Sequence, residues 1–237
     1  MEYEESSYDE DITIFSPQGR LYQVEYARET VKKGSTTIGL KFNKGIIFIS
    51  IISNSSNIIE NKSLEKISKI DENIACTFCG LSADARQIVS LAIDEIQINK
   101  VQYGDEISIK NLVENICEYI NIFSRYQAVR PFGVVMLFGG IDKTGIHLYA
   151  TDPSGAFVEY KAICEGKKNE SVVKYLEKNY EENLNFEKAL ILALNALKKS
   201  AGKKISSKKL DICVIEENKF FKKLTKKEID KHLKKVK

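Results

Sequence analysis

Nowhere in its 237 residues does the sequence hold an apolar run long enough to cross a bilayer, and the acidic start Met1-Glu2-Tyr3-Glu4-Glu5 lacks the basic and apolar regions of a signal peptide. Neither export nor a membrane role is expected. Pro/Gly/Ser-rich linkers, low-complexity tracts and internal repeats are also missing, so nothing divides the chain into separate domains. A disulfide framework is excluded in the same way. Cys76, Cys79, Cys117, Cys164 and Cys213 are odd in number and scattered through apolar segments, which fits reduced thiols in a cytoplasmic protein. Only Cys76 and Cys79 lie close together, and side chains three apart on a strand point to opposite faces, so the pair reads as packing and not as a metal site. No metal and no cofactor is expected.

What is present is ample apolar material, 43% of residues, enough for a sizeable core. The formal charge of +3 hides an asymmetry: residues 1–30 carry eight acidic and two basic side chains, whereas residues 198–237 carry fifteen lysines and five acids. That tail has no arginine for base-edge contacts and, apart from Phe220-Phe221, no aromatics interleaved with its lysines for stacking, so a solvated face is favoured over nucleic-acid binding.

Ser16-Pro17-Gln18-Gly19 carries the residue types of a type I turn and separates an acidic arm from a helix over Leu21 to Lys32, with Gly34 as its stop. Alternation in Thr36 to Phe42, the turn Asn43-Lys44-Gly45 and the apolar run Ile46 to Ile52 predict a hairpin whose second strand is covered on both faces. A polar loop then leads to strands over Leu64 to Asp71 and Ile74 to Gly80. Apolar residues at helical spacing predict helices over about Ser82 to Val101 and Glu106 to Arg125.

Next come a three-strand meander (Val134 to Ile141, Gly145 to Thr151, Ala156 to Ile163), helices over Asn169 to Tyr180 and Phe186 to Ser200, two short strands near Leu210 to Ile215 and Lys219 to Lys223, and a lysine-rich helix from Thr225. Helix pairs between antiparallel strand groups imply an α+β fold, a four-layer α-β-β-α sandwich of two antiparallel sheets with an extra N-terminal helix. One domain is expected throughout residues 1–237.

The stretches Tyr8-Asp9, Thr13 to Leu21 and Gln23-Val24-Glu25-Tyr26-Ala27 closely resemble the N-terminal signature of proteasome α subunits. The resemblance continues through Gly34 to Gly39, Leu64 to Ile67, Gly80 to Arg86, Arg130-Pro131-Phe132-Gly133 and Asp152-Pro153-Ser154-Gly155, covering nearly the whole chain. It implies the Ntn-hydrolase-like sandwich already read from the layer order. It also implies a 20S core-particle subunit of archaeal kind in a heptameric outer ring. Expected partners are neighbouring α subunits, β subunits, an ATPase or other activator with C-terminal carboxylate tails, and unfolded protein substrates.

The resemblance divides the chain into a gate arm and turn (1–19), an N-terminal helix (20–33), the sandwich (34–224) and the C-terminal helix (225–237). It assigns Tyr8, Asp9, Pro17 and Tyr26 to the gate. Lys66, with Glu25, Gly34, Gly80 and Leu81, is assigned to an activator-docking pocket between subunits, and Tyr126 to a pore constriction. Two departures stand out. Glu10 replaces the arginine that usually follows Tyr-Asp, which implies a looser or more salt-sensitive gate, and Tyr126-Gln127-Ala128 stands where a glycine-rich loop is common.

No catalysis is expected. Active members of the wider superfamily use an N-terminal threonine whose own amine is the general base, whereas here the matching strand start, Ser35, follows a helix. Ile51 stands where active members carry an acidic residue at the end of the second strand. The rival, a self-processed threonine protease, requires a mature chain beginning near Ser35 or Thr36.

Overall fold

A computed structural model describes residues 11–52, 58–127, 129–201, 205–217 and 220–236; Tyr8, Asp9, Glu10 and Ala128 lie outside them. Helix α1 spans Tyr22–Lys32 and buries Val24, Ala27 and Val31, three positions on one helical stripe. Ahead of it, the Gly19 N–H donates to the Ser16 carbonyl at 2.8 Å and Gly19 takes φ +74°, which closes the predicted turn.

Strands β1 (Thr37–Phe42) and β2 (Gly45–Ile51) pair antiparallel, as the alternation and the turn at Lys44 predict. β3 (Ile67–Lys69) and β4 (Ile74–Gly80) follow, then helices α2 (Ser82–Tyr103) and α3 (Ile109–Ile122). β3 is shorter than expected, because Asn61–Leu64 winds into a 3-10 turn and Lys66 lies just ahead of the strand. Helix α3 starts later than expected because Ser108 caps it, its side chain accepting the Asn111 N–H.

The chain continues through β5 (Val134–Asp142), β6 (Gly145–Thr151), β7 (Phe157–Glu159) and β8 (Ala162–Glu165). Here the expected third meander strand is corrected: it breaks at Tyr160-Lys161, β7 staying beside β6 while β8 crosses to pair with β1 in the other sheet. One continuous apolar-looking segment thus serves both sheets. Helices α4 (Asn169–Asn179) and α5 (Phe186–Ala201), strands β9 (Leu210–Glu216) and β10 (Phe220–Lys223), and helix α6 (Lys226–Leu233) complete the order. Thr225 and Glu228 form a reciprocal capping box at the start of α6.

The strands form two five-stranded antiparallel sheets, β10-β9-β2-β1-β8 and β3-β4-β5-β6-β7. Three apolar layers follow from their alternation. Ile38, Leu40, Ile47 and Ile49 face α4 and α5, while Cys76, Phe78, Met136 and Phe138 face α2 and α3. Between the sheets lie Ile46, Phe48, Ala75, Cys79, Leu137 and Leu148. Cys76 and Cys79 therefore sit on opposite faces of β4, as their odd spacing requires, and all five cysteines are free and buried. Each fully buried side chain of the size of Phe48 or Ile49 contributes about 1.5–3 kcal/mol. The middle layer also holds a hydroxyl chain, Thr37 to Ser50 at 3.2 Å and Ser50 to Thr77 at 2.7 Å, so these buried polar groups satisfy one another.

Candidate functional site

Where α1 ends and β1 begins, the sandwich opens on a cleft of about 750 Å³ whose lining includes Lys33, Gly34, Ser35, Lys66, Gly80 and Arg86. Lys66 is the central group. It is only 9% exposed, its Nζ donates to the Ser35 hydroxyl at 2.9 Å and to the Ser35 carbonyl at 3.4 Å, and it sits 4.7 Å over the Phe78 ring. Among the described residues no carboxylate pairs with it. Burial pulls the Lys66 ammonium below its ordinary pKa. The adjacent Cys79 thiol is pushed up to about 11 by burial, so near neutral pH it offers Lys66 no counter-charge.

Asp211, at the head of β9, positions this lysine. Its buried carboxylate accepts the backbone N–H groups of Lys66 and Ile67, both at 3.1 Å, tying the start of β3 across to the other sheet. The sequence reading missed Asp211; its signal is a lone acid in the otherwise apolar segment Leu210 to Ile215. Glu65, the one acid among the described residues that line the cleft, is paired with Lys223, leaving Lys33, Lys66 and Arg86 to set a positive potential.

Gly34 and Gly80 hold the mouth of the cleft against the body of the chain. A Cβ on Gly34 would stand 2.6 Å from the Cys79 sulfur and 2.7 Å from the Gly80 nitrogen, and one on Gly80, at φ +119°, would stand 2.2 Å from the Gly133 carbonyl oxygen. The close backbone approach that these glycines permit is thus made by the chain itself. The next residue, Leu81, is 41% exposed beside the cleft, and its N–H donates to the Gly133 carbonyl at 3.0 Å.

Asp84 in the first turn of α2 fixes that edge. It takes two hydrogen bonds of 2.7 Å from the Arg130 guanidinium and one of 2.8 Å from the Gly133 N–H. Burial opposes its ionisation, but these donors outweigh it and hold the carboxyl below the usual range.

The remaining expected residues lie elsewhere on the chain. Glu25 pairs with Arg20 at 3.1 Å, and Tyr26, half exposed, stacks on Tyr22 at 6.4 Å between ring centroids; neither lines the cleft. Pro17 is exposed in the turn before α1, and Tyr126 is 64% exposed just beyond the end of α3. Arg28 reaches from α1 to Asp152 with two hydrogen bonds of 2.9 Å. In the same turn, a Cβ on Gly155 would stand 2.6 Å from the Asn121 Cβ. The Asp152-Pro153-Ser154-Gly155 segment therefore bolts α1 and α3 to the β6–β7 turn.

Beside that bolt a smaller cleft of about 250 Å³ is lined by Arg28, Lys32, Asp152, Glu165 and Asn169 among others. Burial, followed by the nearby Asp152 charge, raises the Glu165 carboxyl to about 7. The lysine-rich end folds back on the body through Lys223–Glu65 and Lys235–Glu187 pairs. No group of side chains suited to hold a metal occurs among the described residues, and no helix among them is long and apolar enough to cross a membrane.

Comparison with known proteins gives two adjoining family matches, the proteasome subunit family over residues 31–215 and the N-terminal signature of A-type proteasome subunits over residues 8–29. The chain is 41% identical to the proteasome alpha subunit of Picrophilus torridus over 98% of its own length and 100% of that protein. It is 43% identical to the proteasome alpha subunit of Methanocaldococcus jannaschii, over 98% of this chain and 88% of the relative. The alpha subunit of Methanothermobacter thermautotrophicus is 40% identical over 96% and 92%. With its α-β-β-α layers and the signature helix ahead of β1, the chain belongs to the proteasome family, as an α-type subunit.

Proposed function

We propose that this α-type subunit is non-catalytic, builds a heptameric outer ring on the proteasome β rings in the cytoplasm, gates substrate entry and receives the C-terminal carboxylates of an activator. The observation that carries the docking role is Lys66, a buried cation without a carboxylate partner among the described residues, at the base of a cleft lined by two further cations. A visiting carboxylate supplies the missing counter-charge through a charge-assisted hydrogen bond. Glu25 and Tyr26 stand away from this cleft, and in the ring they approach it from the neighbouring copy. Gly34, Gly80 and Leu81 frame it within one chain.

The lack of catalysis rests on Ser35 and Ile51. Ser35 follows α1 and Gly34, so its nitrogen is an amide and cannot act as a base, and β2 ends on an apolar side chain. The gate comprises the acidic arm with Tyr8 and Asp9, hinged at the Pro17 turn and met by Tyr26, while Tyr126 narrows the pore. Arm, N-terminal helix, sandwich and C-terminal helix act as one domain.

Native mass spectrometry of the chain with its β partner tests assembly, and peptides ending in a free or an amidated carboxyl group test docking. Heptameric rings are expected, with peptide hydrolysis stimulated only by the free carboxylate. Rings stimulated equally by both peptides would remove the docking role, and a persistent monomer would remove the whole reading.

A further inference from the structure

The geometry points to a second binding site: the smaller cleft beside α1 takes a primary ammonium group on an unbranched apolar stem, with the Glu165 carboxylate as its counter-ion. The cleft, of about 250 Å³, shares no lining residue with the Lys66 cleft among the described residues, so this site does not rest on the docking role. Its walls reach into the layer between the sheets, for Val31, Val135, Ala150 and Ile163 all belong to that apolar cluster and all four are buried.

Glu165 ends β8, in register with Thr37 of β1, and Gly166 at φ +103° turns the chain away directly after it. The carboxyl is thereby left half-buried in the wall of a largely apolar cleft. No cation among the described residues answers it. Arg28 donates two hydrogen bonds of 2.9 Å to Asp152, and Lys32 pairs with Glu29 on its own helix. The Cys79 and Cys164 thiols and the Tyr160 hydroxyl, which also surround the carboxyl, are pushed up by burial and stay neutral. Asp152 adds negative charge nearby, which repels anions, and Asn169 at the start of α4 supplies a side-chain hydrogen bond.

An alkylammonium completes this arrangement. Its N–H donors form charge-assisted hydrogen bonds to the carboxylate, and its stem displaces water from the apolar walls. Because Asn169 already bonds the carboxylate, a compact ammonium suits the site better than a planar guanidinium fork, which needs both oxygens. Only the ionised carboxyl pairs with the ammonium, and in the free chain Glu165 titrates at about 7. Its ionised fraction rises from roughly one-tenth at pH 6 to nine-tenths at pH 8, while the amine stays protonated throughout.

Isothermal titration of the full chain with n-butylamine tests this, with n-butanol as the uncharged analogue and Nα-acetyl-lysine methylamide as a peptide-borne amine. Butylamine is expected to bind about tenfold tighter at pH 8 than at pH 6, with butanol indifferent to pH. Two buffers of different ionisation enthalpy should show roughly half a proton released per amine at pH 7. The substitution Glu165→Gln is expected to weaken butylamine at pH 8 by about tenfold or more. Capture of the capped lysine as well assigns the ligand to a protein side chain, and capture of butylamine alone to free amines; either upholds the site. Absence of butylamine binding, equal affinity at pH 6 and pH 8, or affinity that survives Glu165→Gln overturns the proposal. Should that variant fail to fold, the ratio of affinities at the two pH values in the unaltered chain decides alone.

Discussion

Replacing Lys66 by methionine separates what this side chain does for docking from what it does for the fold. Methionine keeps most of the volume over the Phe78 ring but removes the ammonium, and with it the one charge that an entering carboxylate meets at the base of the cleft. A hydrogen bond to a charged group is worth about 1.5–3 kcal/mol, so tail affinity is expected to fall roughly 10- to 150-fold. Isothermal titration of the assembled ring with a carboxylate-ended peptide reads this directly.

The fold should respond with the opposite sign. The ammonium is held below its ordinary pKa of 10.5 by burial, so the folded state binds this proton less tightly than the unfolded chain. Stability tied to Lys66 therefore rises with pH through the window between the lowered value and 10.5, and at neutral pH the charge is a cost. Lys66→Met is expected to leave the melting temperature unchanged or raised at pH 7 and to flatten that alkaline rise. A variant that melts earlier and still binds the peptide as tightly would refute the reasoning on both counts.

Three further substitutions probe the frame around the cleft. Asp211→Ala strands the buried N–H groups of Lys66 and Ile67 and should cost roughly 2–4 kcal/mol in urea unfolding, with most of it recovered by Asp211→Asn. Gly80→Ala forces a Cβ to 2.2 Å from the Gly133 carbonyl at φ +119°, and soluble yield and melting temperature should show a loss of about 3 kcal/mol or more. Glu165 has its folded pKa raised from 4.5 to about 7, so the folded state holds the proton more tightly and stability declines as pH rises across that window. Glu165→Gln should abolish the decline, worth about 3 kcal/mol, in melting curves taken from pH 4 to 8.

Periodicity made most of the architecture legible. The β1–β2 hairpin, the two helix pairs and the four layers follow from local alternation and helical spacing, which the sheets and helices obey. The split at Tyr160-Lys161 was not legible, because strands in either sheet bury the same kinds of residue and alternation does not say which neighbour a strand joins. At the site, Lys66, Gly34 and Gly80 came from the family resemblance. Asp211, the Ser35–Lys66 contact and the clamp from Arg28 to Asp152 depend on partners 145, 31 and 124 residues away in sequence, a distance that no local pattern spans.

The proposed roles all require Ser35 to remain inside a continuous chain in the working particle. N-terminal sequencing of this subunit, taken from intact proteasomes isolated from the native source, tests that most directly. The expected first residue lies upstream of the Tyr22–Lys32 helix, so that α1 and the arm remain attached. A chain that begins at Ser35 or Thr36 would expose a free amine beside a hydroxyl and contradict a non-catalytic role.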